Sequence, residues 1–130
     1  MAKWTNDSVL DALLKFISGD TISNDVTNNR NLSVDSAQPT TRTEAITTYK
    51  LATTTLTKST DFTIANDTSG RKVTTAQKSG VNVDTTGTAT YVSICDLTNL
   101  LVVTTCTSQS LTAGNTVTIP AFAISVSDPT

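Results

Sequence analysis

The sequence predicts a mainly β fold, a sandwich or barrel of antiparallel sheets, with one amphipathic helix at the N-terminus. The 130-residue chain carries 29 threonines and 13 serines but a single glutamate. Threonine is β-branched and favours extended backbone over helix. From residue 49 onward, short apolar runs alternate with turn residues, which is typical of sandwiches and barrels. The length fits one domain over residues 1–130.

The helix is predicted over residues 6–18. Five apolar residues recur there at helical spacing and form a stripe that a sheet would bury: Val9, Leu10, Leu13, Leu14 and Ile17. Asp11 and Lys15 lie on the other side, four residues apart, as the partners of a modest ion pair would. Gly19 suits the left-handed position that commonly ends a helix.

Residues 20–48 are polar and rich in residues that favour turns, so they predict a long loop or arm. A short strand around residues 32–35 is the alternative. Long loops in compact domains usually have a function, so this segment is a candidate for contact with a partner. Asn28, Arg30 and Leu32 are the predicted contact residues, together with Trp4. Trp4 is either an interface anchor or a residue that packs back on the helix.

The β region is predicted over residues 49–130. Turns are expected at "NDTSG", "DTTG", "TN" and "SLTAGN", and "TVTIPAFAISV" is expected to form one strand in which Pro120 marks an edge or a bulge. A two-residue turn at "TN" would place residues whose numbers sum to 197 opposite each other. Cys95 and Cys106 would then lie on the order of 13 Å apart along the strands. We therefore expect two small buried thiols; a disulfide is the alternative and would require a shift in register.

Residues suited to catalysis are few. The chain has no histidine, which removes the commonest general base and metal ligand. "DTSG" at Asp67 and "DTTG" at Asp84 superficially resemble an aspartic-protease motif, but neither contains it, and both are interpreted as turns. Glycine-rich phosphate loops and regularly spaced calcium ligands are absent from the sequence. No enzyme activity, metal or cofactor is predicted.

The charge pattern disfavours two classes of partner. The net charge is −2 and no cluster of basic residues occurs, so no contact with nucleic acid is predicted. No stretch reaches the ~20 apolar residues that span a bilayer. Asp11 and Lys15 interrupt the N-terminal apolar run, so a soluble protein made in the cytosol is expected, with no contact to membranes.

Four segments resemble a family of small tailed-bacteriophage virion structural proteins. They are "MAKWTNDSVLDALLKFI", "SAQPTT", "TSGRKVTTAQKSGVNVDTTGTATYVSICD" and "TTCTSQSLTAGNTVTIPAF". Together they cover most of the chain, and they are scaffold and turn motifs with no active site among them. The polar stretch around residues 20–35 is longer here than the family pattern.

The resemblance implies a capsid decoration, or cement, protein that binds the major capsid protein and stabilises the head shell. A second copy of the chain is a further expected partner. The implied location is the capsid surface of the virion, after assembly in the host cytoplasm. A head-fibre or tail-associated module for host attachment is the alternative function.

Overall fold

The computed structural model describes residues 7–19, 29–58 and 60–129. Within these ranges the chain forms a helix α1 over Asp7–Ser18, a π-helical turn over Glu44–Thr48, and nine strands. The strands are β1 Arg30–Asp35, β2 Lys50–Leu56, β3 Phe62–Asn66, β4 Arg71–Thr75, β5 Lys78–Asn82, β6 Gly87–Cys95, β7 Leu100–Leu111, β8 Thr116–Ile119 and β9 Ala123–Val126. The predicted mainly β fold with one N-terminal helix is confirmed.

Helix α1 begins and ends where its sequence indicates. Asp7 places a negative charge at the positive end of the helix dipole. Gly19 follows the last turn with a φ of 79°, in the left-handed region that a residue without a Cβ adopts at low cost. The predicted bounds of 6–18 agree with Asp7–Ser18, and residue 6 lies outside the described residues.

A buried face and an ion pair hold α1 against the sheet of β3, β4 and β9. Leu10 and Leu14 lie on the side of the helix that faces the sheet, and both are buried. The carboxylate of Asp11 accepts two hydrogen bonds from Arg71 of β4, from Nε at 2.6 Å and from Nη2 at 3.1 Å. The sequence predicts Lys15 as the partner of Asp11, but a guanidinium from the sheet takes that place because its two donors match the two carboxylate oxygens.

Strand β1 corrects part of the predicted loop or arm over residues 20–48, of which residues 20–28 lie outside the described residues. Arg30–Asp35 is a strand in the interior of a sheet, paired with β2 on one side and with β6 on the other. The alternative of a short strand around residues 32–35 is therefore confirmed. Leu32 and Val34 face the core while Ser33 and Asp35 face the opposite side. The sequence predicted a loop because Ser33 and Asp35 are polar, and polar residues are usually exposed. Both side chains are in fact buried within the sheet.

The nine strands form three antiparallel sheets. One has four strands in the order β2-β1-β6-β7, one has three in the order β3-β4-β9, and β5 pairs with β8. A bridge between Ala52 and Val83 joins the end of β5 to β2. One continuous core draws side chains from α1 and from all three sheets, with Leu14, Ile94 and Val73 fully buried.

The hairpin of β6 and β7 differs in register from the prediction. Ile94 lies opposite Val102 and Tyr91 opposite Thr105, so opposed numbers sum to 196 in this stretch, one less than predicted. The pairing is irregular on both sides of the stretch, and such bulges cannot be read from the turn alone. Cys95 and Cys106 are both free, as predicted, although only Cys95 is fully buried.

The last predicted strand is in fact two strands. β8 ends at Ile119 and pairs with β5, whereas β9 begins at Ala123 and pairs with β4. Pro120 lies between them. A proline lacks the backbone N–H that a ladder requires, so the chain leaves one sheet at this point and joins another.

Candidate interaction surfaces

The four predicted contact residues do not form one exposed surface. Trp4 and Asn28 lie outside the described residues. Arg30 and Leu32 are each 0% exposed. Leu32 belongs to the hydrophobic core, and its side chain packs among apolar neighbours there. The burial of these two side chains gives each a role in the fold and removes the exposed contact that the prediction assigned to them.

Arg30 of β1 forms two hydrogen bonds to the C-terminal end of α1. Its Nε donates to the carbonyl of Ile17 at 3.0 Å, and its Nη2 donates to the carbonyl of Phe16 at 2.9 Å. The last carbonyls of a helix have no partner within the helix and carry its negative dipole end. A cation at this position therefore satisfies two acceptors and is also electrostatically favourable.

A polar cavity of about 310 Å³ lies beside Arg30, between the start of β1 and the turn that joins β6 to β7. Arg42 also lines this cavity and donates from Nε to the carbonyl of Asp96 at 2.8 Å. Burial opposes ionisation of Asp96, but backbone amides of Asn99 and Thr98 donate to its carboxylate and hold its pKa below the usual range. Arg42 and Asp96 thus stabilise the hairpin turn, Arg42 through the carbonyl of Asp96 and Asp96 through the two backbone amides.

An exposed apolar stripe runs along the outer side of α1. Val9 is 54% exposed, Leu13 57% and Phe16 41%. Their spacing of four and three residues places them on one face of the helix. We call these three residues the α1 ridge. The sequence predicts a single stripe that includes Val9 and Leu13, but the structure divides it, because the sheet covers only the side that carries Leu10 and Leu14.

The outer edge of β7 is a second exposed feature. β7 is the last strand of the four-stranded sheet and contains no charged residue and no proline. Its pairing with β6 is irregular between Ala89 and Tyr91 and again between Ile94 and Cys95. Such irregularities twist a sheet edge and hinder its pairing with another chain. In many edge strands, charged residues hinder this pairing; in β7 the irregularities have that effect instead.

The face of β1 and β6 opposite the core carries a buried polar cluster. Ser33, Asp35 and Ser93 are each 0% exposed. The Oγ of Ser93 donates to Oδ2 of Asp35 at 2.6 Å, and Ser33 Oγ lies 2.8 Å from Oδ1. Desolvation by burial raises the pKa of Asp35, against the opposing effect of the two serine hydroxyls. The alternation of Ser33 and Asp35 with Leu32 and Val34 is the sequence signal for this cluster.

Two chemical features of the described residues bear on metal binding and on thiol reactivity. They contain no group of three or more His, Cys, Asp or Glu side chains placed to hold a metal ion. Burial raises the pKa of Cys95 to about 11 and raises that of Cys106 as well, so both thiols are poor nucleophiles at neutral pH. A cavity of about 170 Å³ lies between β6, β7 and β8, with Cys106 and Val117 in its lining.

No family model matches the chain, and no curated protein and no solved structure matches it either. The resemblance to bacteriophage proteins therefore stays a prediction. Among the described residues, helix α1 falls short of the length and hydropathy of a membrane-spanning helix, and no other helix there reaches them.

Proposed function

We propose that the chain is a bacteriophage capsid decoration protein, which binds the major capsid protein and stabilises the head shell. Two kinds of support lead to this proposal. The segments quoted above resemble virion structural proteins over most of the chain. The described residues present surfaces for contact, while their two thiols have raised pKa values and no metal-binding cluster occurs among them.

The α1 ridge is the observation that carries a binding role. The inner side of the helix is held by three contacts. Leu14 is buried in the core, Asp11 pairs with Arg71 of β4, and Arg30 of β1 donates to the last turn of the helix. Val9, Leu13 and Phe16 are thereby presented on a fixed support, which lowers the entropy lost on binding. Anchors spaced by three and four residues are typical of a helix that docks into an apolar groove.

The ridge supplies a modest contact energy for each copy. Complete burial of a Val, Leu or Phe side chain is worth about 1.5–3 kcal/mol, and these three are already about half buried, so a partner gains roughly 2–4 kcal/mol. A decoration protein adds such contacts at many equivalent positions of a shell. Where one copy touches two capsid subunits, the second contact forms at high effective concentration.

The test is binding to heads that lack this protein. Purified chain is mixed with heads from a phage that carries a deletion of its gene, and the bound fraction is measured by cosedimentation. We expect saturable binding at a fixed number of copies per head and a higher temperature of shell disruption. Binding to host cells with no binding to heads would instead favour the host-attachment alternative.

Two variants locate the contact. Leu13→Ser removes the middle residue of the α1 ridge, and Leu97→Ser changes a leucine of similar exposure, 60%, in the turn between β6 and β7. We expect Leu13→Ser to weaken binding to heads by roughly fourfold to twentyfold, because burial of a leucine that is 57% exposed contributes about 0.9–1.7 kcal/mol, and to leave folding intact. Leu97→Ser should bind as the unchanged chain does. Equal binding by both variants would exclude the ridge as the contact.

A further inference from the structure

The hydroxyl of Ser33 lies between two close oxygen atoms. Its Oγ is 2.7 Å from the carbonyl oxygen of Ala45, in the π-helical turn, and 2.8 Å from Oδ1 of Asp35. A second carbonyl, that of Ala52, is more distant at 3.4 Å. Ser33, Asp35 and Ala45 are all 0% exposed. The two short distances join β1 to the turn that covers the back of the four-stranded sheet.

A count of protons fixes the state of this cluster. A serine hydroxyl has one proton to donate, and a carbonyl oxygen can only accept. Ser33 therefore donates to Ala45, and the contact of 2.8 Å with Asp35 needs a proton from the carboxyl group. If the carboxylate were ionised, the one proton of Ser33 could form a full hydrogen bond to only one of the two oxygens, or two weaker bonds shared between them. In either case two acceptor oxygens would lie in close contact without a full hydrogen bond, which is unfavourable.

The hydroxyls of Ser33 and Ser93 favour the charged form of Asp35, but no cation does so within the described ranges. Within the described ranges no ion pair involves this carboxyl group. Its register neighbour Lys50 pairs instead with Asp84, at 3.1 Å. The glutamate of the turn, Glu44, is held by hydrogen bonds from Thr40 and Thr41.

The other titratable groups on the strands beside Asp35 come from β6 and β7. They are Tyr91, Cys95 and Cys106, whereas Arg30, Arg42 and Asp96 line the cavity at the opposite end of β1. The thiols of Cys95 and Cys106 both lie within electrostatic range of Asp35. Arg42 is engaged by the carbonyl of Asp96, and Arg30 by the end of α1. Among the described residues, no ion pair offsets the cost of a buried charge at Asp35.

We infer that Asp35 is held as a neutral carboxylic acid whose proton completes a hydrogen-bond relay from β1 to the π-helical turn, and that loss of this proton releases the turn. In the neutral state, Asp35 donates to Ser33 and Ser33 donates to Ala45. In the ionised state, the Ser33 hydroxyl rotates to the carboxylate and Ala45 loses this donor. The proton goes to solvent, and the cluster acts as a pH-sensitive latch on the turn.

The direction of the pH dependence follows from linkage. A carboxyl group that binds its proton more tightly in the folded chain stabilises the fold fully below its ordinary pKa of 3.8. That contribution is lost as the pH rises through the raised pKa of the folded chain. The equilibrium constant for opening of the turn should therefore increase by up to tenfold per pH unit between pH 3.8 and the raised pKa of the folded chain. Above that raised pKa it should level off.

The experiment combines carbon-detected NMR of the full chain with amide hydrogen exchange. The carboxyl resonance of Asp35 is followed against pH, and its midpoint should lie above 3.8. Exchange of the amides of residues 44–49 is measured in the unchanged chain and in Asp35→Asn, whose amide can donate to Ser33 at every pH. The exchange rate in the unchanged chain divided by the rate in Asp35→Asn gives a ratio in which the intrinsic effect of pH cancels. It should rise by up to tenfold per pH unit.

Asp67→Asn is the matched control, because Asp67 lies between β3 and β4 and its partners Thr68, Lys72 and Ser125 are all outside the cluster. This variant should exchange as the unchanged chain does, with the same dependence on pH. A carboxyl midpoint at or below 3.8 for Asp35 would overturn the inference, as would an exchange ratio that does not change with pH. If Asp35→Asn fails to fold, the NMR titration of the unchanged chain decides the matter alone.

Discussion

Replacement of Arg30 by methionine removes two hydrogen bonds at the end of α1 while it keeps a side chain of similar length. The guanidinium of Arg30 is fully buried and donates to the carbonyls of Phe16 and Ile17. Without it, both carbonyls lose a charged donor, and the first strand loses its connection to the helix. The change therefore tests whether Arg30 acts as a cap for α1 rather than as a contact for a partner.

The expected cost follows from the two bonds. A hydrogen bond to a charged group contributes about 1.5–3 kcal/mol, so two contribute about 3–6 kcal/mol. Domains of this kind have a total free energy of unfolding of about 5–15 kcal/mol. Arg30→Met should therefore leave the chain marginally stable, and α1 should be the first element to open.

Urea denaturation followed by far-UV circular dichroism measures the change in the free energy of unfolding. Arg42→Met is the control, because Arg42 is only half-buried and makes one such bond, to the carbonyl of Asp96 at 2.8 Å. Arg42→Met should lower the free energy of unfolding by about 1–3 kcal/mol. The reasoning would be refuted if Arg30→Met cost no more than Arg42→Met, or if exchange of the α1 amides stayed as slow as in the unchanged chain.

Two further predictions concern a glycine and a thiol. A Cβ at Gly70, where φ is +79°, would lie 2.0 Å from the carbonyl oxygen of Val126, whereas one at Gly80, also at positive φ, would meet nothing within 4 Å. Gly70→Ala should lower the unfolding free energy by about 2–4 kcal/mol and Gly80→Ala by about 1 kcal/mol; equal costs in urea titrations would contradict this. At pH 8, Cys95 in a Cys106→Ser chain should react with a thiol reagent on the order of a hundredfold more slowly than free cysteine; fast native-state labelling would show that its pKa is not raised.

Local sequence patterns were sufficient for several elements. The turn signals at "NDTSG" and "DTTG" lie between strands, as predicted, because their residues favour turn backbone whatever surrounds them. The apolar spacing of α1 and the position of Gly19 likewise fixed the helix. The break at Pro120 was foreseen only as an irregularity, since the change of sheet depends on pairing with distant strands.

The surfaces were harder to predict than the elements. Arg30 and Leu32 were predicted as contacts because they stand in a polar stretch, and both are buried. Polarity is a poor guide where a polar group finds partners inside the fold. Phe16 was not predicted, although its spacing from Val9 and Leu13 identifies a second stripe on the helix. The sequence does not reveal which of the two stripes the sheet will cover.

The sequence by itself determined the β character of the chain, its single helix and the positions of several turns, because these depend on residues close together in the chain. Tertiary structure decided what the polar residues do. Asp35 meets Ser93 across 58 positions of sequence, and Arg30 reaches the end of α1 across 13 and 14. Such contacts form only when strands and helix have assembled, and burial then turns an ordinary carboxyl group into one that holds its proton.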